Sequence, residues 1–322
     1  MEVGRQAAKP LSPDILVMLS RQLESRNSAK HCDLEKCEEV NRVYDVSAPG
    51  PNGHIPIRVY DSRSKVAAAP LLIYLHGGCW FLNSNFVSYD AFCRRLGKQT
   101  GCVVMAIDYR LSSEWKFPAG LEDCYAATQY CADQATFLNC SHDQIAIVGD
   151  SCGANLATAV CLLIKERGGQ QLCAQVLLYP LTDYYLPAKP SFLTYDSGIY
   201  GVGFSGSCCK LGWDLLGADR EPYGKPQQPS SLAAVLQHAD VSGLPPAYIV
   251  LAECDIVHDE GEMYAQKLLD AGNTVHVKDY KGACHGHMMM AVDASIGGLK
   301  CQHGLEAIDD LCKMLAHLFK AS

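Results

Sequence analysis

Residues 149–153 read Gly149-Asp150-Ser151-Cys152-Gly153, a serine with a glycine two positions away on each side. The segment follows the apolar run 145–148 and precedes the helix-forming stretch 155–165. In that strand–turn–helix setting the glycines allow a turn too tight for side chains, and the hydroxyl is raised above the sheet. A serine hydroxyl is a weak nucleophile until a base takes its proton, and the base needs a carboxylate to hold its tautomer. In such a fold the acid and then the base follow the serine along the chain. Asp255 comes just after the apolar run 247–251 and His285 comes after 275–277. Both fall on loops at the C-terminal ends of strands, where α/β sheets place ligands. Glu253 and Asp259 compete with Asp255, and Asp259 reads as a cap of the next helix. His258 and His287 compete with His285. Chain order and loop position favour the set Ser151, Asp255 and His285, whose chemistry is acyl transfer through a covalent intermediate.

A second signal, His76-Gly77-Gly78-Cys79-Trp80, directly follows the apolar run 71–75. A glycine-rich turn there lets backbone N–H groups face a substrate carbonyl oxygen. Gly77, Gly78 and Cys79 are the candidate donors, joined by Cys152 at the start of the helix after the serine. His76 reads as a hydrogen bonder that shapes the loop. The Cys152 side chain is expected to point away from substrate, with no base paired to it. Trp80, Phe81, Tyr109, Phe204, Trp213 and His287 are candidates to line the substrate pocket, and each could equally serve plain packing. The scheme needs no metal or organic cofactor.

The elements that must hold these groups alternate. A short amphipathic helix is expected over 15–23. Strands are expected over 40–46 and 55–60, separated by the turn signal at 49–53. Further strands are expected over 71–75, 102–107, 145–148, 174–179, 247–251 and 275–277. Helices are expected over 89–96, 119–132 and 155–165 and after the last two strands. Short buried strands alternating with helices predict a mostly parallel central sheet flanked by helices. Between 180 and 230 the alternation breaks into Pro, Gly, Tyr and Ser, with one helical patch at 210–216. An insertion of that kind predicts a lid, packed with the N-terminal helix.

The 322 residues are 48% hydrophobic and 19% charged, the balance of a globular chain with a sizeable core. The net charge of −8 is scattered, and no basic run offers a footprint for nucleic acid or an anionic membrane. No stretch approaches 18 apolar residues, so no membrane span is expected, and residues 1–30 carry no apolar run of signal-peptide length. The 17 cysteines are odd in number and mostly inside apolar segments, which reads as free thiols in a reducing, cytoplasmic compartment. His31, Cys32 and Cys37 lack a second ligand pair at zinc-site spacing.

From about Val40 to Phe319 the chain resembles the hormone-sensitive-lipase family of carboxylesterases. The resemblance is carried by the His-Gly-Gly loop, Asp108-Tyr109-Arg110-Leu111 running on to Phe117-Pro118-Ala119, and Gly149-Asp150-Ser151. Leu178-Tyr179-Pro180, Leu244-Pro245-Pro246-Ala247, Asp255 with Asp259-Glu260-Gly261, and His285-Gly286 extend it. It implies an α/β-hydrolase fold in a single domain over 1–322, with a small helical cap from about 1–38 and 181–230. It also implies the triad Ser151, Asp255 and His285, a small carboxylic ester as substrate and often a homodimer. The chain departs from the family at Cys79 (usually a third glycine), at Cys152 and Ala154 (usually Ala and a further Gly) and at His287 (usually Phe). Each departure alters the pocket wall rather than the triad. Three other readings compete. One is an amidase, formamidase or deacetylase using the same triad, since His-Gly-Gly-x-Trp also resembles kynurenine formamidases. Another is a non-catalytic receptor, a class that has lost the histidine present here, and the third is a thiol-based role.

Overall fold

A computed structural model describes residues 38–64, 68–82, 86–196, 204–218, 229–292 and 302–321. The expected helix over 15–23, His31, Cys32, Cys37 and the N-terminal half of the expected cap lie outside the described residues. Eight strands form one sheet: β1 (Arg42–Gly50), β2 (Gly53–Asp61), β3 (Ala69–Leu75), β4 (Val103–Ile107), β5 (Cys140–Asp150), β6 (Ala174–Leu178), β7 (Ala247–Cys254) and β8 (Val275–Cys284). Their spatial order is β1-β2-β4-β3-β5-β6-β7-β8. β2 runs antiparallel to both its neighbours, and the strands from β4 across to β8 are parallel. The turn signal at 49–53 closes the first hairpin, with Gly50 paired to Gly53 around Pro51 and Asn52.

Period-two alternation divides the core into two layers. Leu71, Ile73 and Leu75 of β3 and Ile145 and Ile147 of β5 enter one layer, beneath α2 (Ala119–Asp133) and α3 (Cys152–Arg167). Leu72 and Tyr74, with Ala146 and Val148, enter the other, beneath α1 (Asp90–Thr100) and α8 (Gln302–Ala321). A sheet covered on both faces explains why its middle strands read as unbroken apolar runs.

The insertion after β6 carries α4 (Pro190–Tyr195) and α5 (Gly206–Leu216). The helical patch expected at 210–216 begins a turn earlier, because Ser205 caps it by accepting the N–H of Cys208 at 3.3 Å. After β7 come α6 (His258–Asp270) and, past β8, the short α7 (His287–Val292). Among the described residues no helix is long and apolar enough to cross a membrane.

Candidate active site

β5 runs straight into the serine. Asp150 ends the strand, Cys152 begins α3, and Ser151 between them has φ 56° and ψ −122°. A non-glycine residue at that φ is strained, and only tight surroundings keep it there. Those surroundings admit no side chain beyond hydrogen at the flanking glycines. A Cβ on Gly149 would stand 2.2 Å from the carbonyl oxygen of Gly153, and one on Gly153 would stand 2.2 Å from that of Leu75. The Ser151 N–H donates to the carbonyl of Leu178 at 2.8 Å, which pins the turn to β6.

Three strand ends bring three side chains into a row. Ser151 Oγ lies 2.9 Å from Nε2 of His285, and Nδ1 of His285 lies 2.6 Å from Oδ2 of Asp255. The carboxylate accepts a hydrogen bond from Nδ1–H and fixes the proton on that nitrogen, which leaves Nε2 free to accept from the hydroxyl. Asp255 is itself held, its Oδ1 accepting the N–H of Val257 at 3.1 Å. The imidazole is clamped by rings. Phe204 stacks on it at 4.2 Å between centroids, and Tyr179 meets it edge-on at 5.0 Å.

The competing residues have other tasks. Glu253 accepts the N–H of Gly282 at 2.9 Å and lies 3.4 Å from the Lys281 ammonium. Asp259 corrects an expectation: Val257 is the N-cap of α6, and the Asp259 carboxylate instead accepts the N–H of Ser191 at 2.8 Å, in the first turn of α4. It serves the neighbouring helix rather than its own. His258 lies between Asp259 and Asp279, at 3.5 and 3.6 Å. His258, Asp259 and Glu262 are the only metal-capable grouping among the described residues, and Asp259 is already engaged.

The loop after β3 turns through three successive residues in the left-handed region: Gly78 at φ 115°, Cys79 at 50° and Trp80 at 63°. Cys79, a non-glycine residue, holds a conformation that glycine would adopt free of strain. Buried groups lock this turn. His76 stacks between Tyr109 at 4.2 Å and Tyr89 at 5.1 Å, and its Nδ1 meets the carbonyl of Gly77 at 2.8 Å. Burial lowers its pKa to about 4, so it stays neutral and structural, as expected. The Tyr89 and Tyr109 hydroxyls donate to the carbonyls of Gly77 and His76, each at 2.7 Å. Among the described residues the N–H groups of Gly78, Cys79 and Cys152 donate to no protein group.

Gly77 is a correction. Its N–H is spent on Oδ1 of Asp150 at 2.8 Å, so it holds the loop instead of facing a ligand. The same Asp150 oxygen accepts the Tyr74 hydroxyl at 2.6 Å, and burial pushes this carboxyl up to about 6. Sequence reasoning quoted Asp150 within the motif and gave it no task. Its position between the serine and the glycine loop was the available signal. Glu260 was missed in the same way. It is buried, and its Oε1 accepts the N–H of Thr182 at 2.7 Å, anchoring the start of the insertion.

The Cys152 thiol accepts the N–H of Trp80 at 3.1 Å, and burial pushes its pKa up to about 12. It braces the loop, which leaves nothing for a thiolate mechanism. Of the pocket candidates, Trp80 and Trp213 meet edge-to-face at 4.9 Å, and Phe81 and Phe204 are buried in the same core layer. Tyr109 lines a small cavity beside Trp80 and also braces the loop, its ring stacked on His76 and its hydroxyl donating to the His76 carbonyl. His287 is a further correction. It is fully buried against Tyr179 and Tyr280, in the core layer on the opposite side of the sheet from the Trp80–Trp213 cluster.

A strained serine at a strand–helix elbow, inside a β2-reversed parallel sheet, defines a class of fold. The chain belongs to the α/β-hydrolase-fold family, whose sequence model matches residues 72–289, in the group of hormone-sensitive-lipase-like esterases. Its relatives agree. It is 36% identical over 251 residues to the carboxylic ester hydrolase LipN of Mycobacterium tuberculosis, covering 76% of this chain and 64% of LipN. It is 31% identical over 300 residues to the ethyl acetate hydrolase of Pseudomonas putida, covering 90% and 89%. A hyperthermophilic esterase from the archaeon Pyrobaculum calidifontis superposes with a TM-score of 0.81 at 31% identity, covering 96% of this chain and 99% of that one.

Proposed function

We propose that this chain is a carboxylic ester hydrolase that works through an acyl-enzyme on Ser151. His285 takes the serine proton as Oγ attacks the ester carbonyl. Asp255 holds the imidazole in the accepting tautomer and steadies the imidazolium that forms. The tetrahedral oxyanion is received by the N–H groups of Gly78, Cys79 and Cys152, each donor of this kind being worth about 3 kcal/mol. His285 then returns its proton to the leaving alcohol. The same residue next activates the water that releases the acid.

The observation that carries this reading is the unbroken hydrogen-bond row from Ser151 through His285 to Asp255, beside three N–H groups with no acceptor among the described residues. Phe204 on the imidazole supports assigning the insertion to a cap that excludes water from the base. The exposed edge strand β8, with Val277 47% exposed, supports a homodimer. All fourteen described cysteines are free thiols, which supports a cytoplasmic, reducing location.

Trp80, Trp213 and Tyr184, which meets Trp213 at 5.3 Å, close the apolar cluster beside the loop and favour a short acyl chain. The test is a series of p-nitrophenyl esters from acetate to laurate, run beside N-formyl and N-acetyl aryl amides. A steep fall in kcat/KM beyond the short esters is expected, with the amides slower throughout. Faster hydrolysis of the amides would replace the esterase reading with the amidase one.

A further inference from the structure

Cys79 and Cys208 meet where the insertion rests on the oxyanion loop. Their Sγ atoms are 3.5 Å apart, on residues 129 positions apart in the chain. The packing beneath them is close. A Cβ on Gly212 of α5 would come within 2.9 Å of the Cβ of Cys79, so helix and loop are in direct contact. Cys79 stands where the resembled family usually has glycine, and Cys208 occupies the first turn of α5.

We propose that Cys79 and Cys208 are a redox modification site, at which a small peroxide closes a disulfide that ties α5 to the oxyanion loop and switches hydrolysis off. The proposal rests on the reading of the Cys79 N–H as an oxyanion donor. The two thiols are unequal. Either thiol can donate in their shared hydrogen bond; with Cys79 as donor, that bond holds Cys208 below the ordinary thiol range and, with burial, Cys79 above it. The Cys208 thiolate attacks one peroxide oxygen, the O–O bond breaks, and the departing hydroxide leaves as water with the proton the thiol shed. Cys208 is then a sulfenic acid. The Cys79 sulfur attacks it, the S–O bond breaks, and the released hydroxyl takes the Cys79 proton as a second water. Two electrons pass from the thiols to the peroxide, and the products are one disulfide and two waters.

The burial of the pair, 3% and 5% exposed, favours an oxidant of peroxide size over a bulky disulfide. Neighbouring thiols do not compete. Cys152 is engaged by the Trp80 N–H, and burial raises the Cys209 thiol far above its ordinary range. Bond formation shortens the S–S separation to about 2.05 Å. That displacement falls on a loop residue with φ 50°, whose N–H is one of three donors. Loss of one such donor lowers turnover by on the order of 10²-fold.

The full-length protein is treated with stoichiometric hydrogen peroxide, mapped without reduction by mass spectrometry, and assayed on p-nitrophenyl acetate before and after dithiothreitol. The expected result is a linked Cys79–Cys208 peptide pair, a loss of activity of at least tenfold, and recovery on reduction. Cys208→Ser should keep its activity through the treatment, whereas Cys209→Ser should lose it as the parent does. No linked pair, a linked pair without loss of activity, or equal inactivation of Cys208→Ser would each overturn the proposal. Absence of esterase activity before oxidation would overturn the functional reading instead, and the peptide map would still judge the bridge.

Discussion

Replacing His287 by phenylalanine isolates what burial does to an imidazole in this fold. The side chain is fully buried; its Nδ1 donates to the carbonyl of Cys284 at 3.0 Å, and its Nε2 has no partner among the described residues. Burial lowers its pKa from 6.5 to about 4. The folded state therefore keeps the ring neutral while the unfolded chain protonates it. The resulting stability is fully present above pH 6.5 and is lost as pH falls toward 4. At about pH 5, roughly 1.5 units below the unfolded pKa and still above the folded one, His287 alone should cost about 2 kcal/mol relative to pH 8. Phenylalanine binds no proton. Between pH 8 and pH 5, His287→Phe should lose about 2 kcal/mol less than the parent. Asp150, raised to about 6, acts with the opposite sign over part of this window, but it is present in both chains and cancels. Urea unfolding at the two pH values measures the difference. Equal losses in the two chains would refute the argument from burial.

Asp255→Asn should present an amide N–H to Nδ1 of His285 and drive the imidazole into the tautomer that cannot accept from Ser151. A fall in kcat of about 10⁴ with little change in KM is expected from steady-state kinetics, and a fall of less than tenfold would contradict it. Gly153→Ala should push its methyl group into the carbonyls of Leu75 and His76, at 2.2 and 2.5 Å, and separate the elbow from the oxyanion loop. A stability loss on the order of 2–3 kcal/mol is expected in urea, together with weaker fluorophosphonate labelling; a chain as stable as the parent would count against the close packing described.

Apolar runs made the buried middle of the sheet legible in the amino-acid sequence, because a strand covered on both faces has no polar side to disguise it. The same signal failed at the margins. β5 extends back to Cys140 through the partly exposed segment 141–144, and β8 runs from Val275 to Cys284 although its regular apolar spacing stops at Val277 and only Tyr280 and Ala283 are buried beyond it. β8 is an edge strand, held mostly by backbone pairing to β7, and such pairing leaves little mark in side-chain pattern. α4 was invisible because its six residues are held from outside, by Asp259. At the site, chain order and motif spacing located Ser151, Asp255 and His285, whose side chains the structure brings together. What spacing could not reveal is which N–H groups are already spent. Only the fold shows Gly77 committed to Asp150, or Tyr109 to His76. His287 looked like a pocket residue because it is two positions from His285, yet the turn into α7 sends it to the other side of the sheet.

The attacking atom itself can be caught. Enzyme quenched during turnover of p-nitrophenyl acetate should carry one acetyl group, found by peptide mass spectrometry on Ser151. In Ser151→Ala that acetyl group should vanish and the rate should fall by about 10⁴ or more. An acetyl group on another residue, or hydrolysis by Ser151→Ala within tenfold of the parent, would contradict the account.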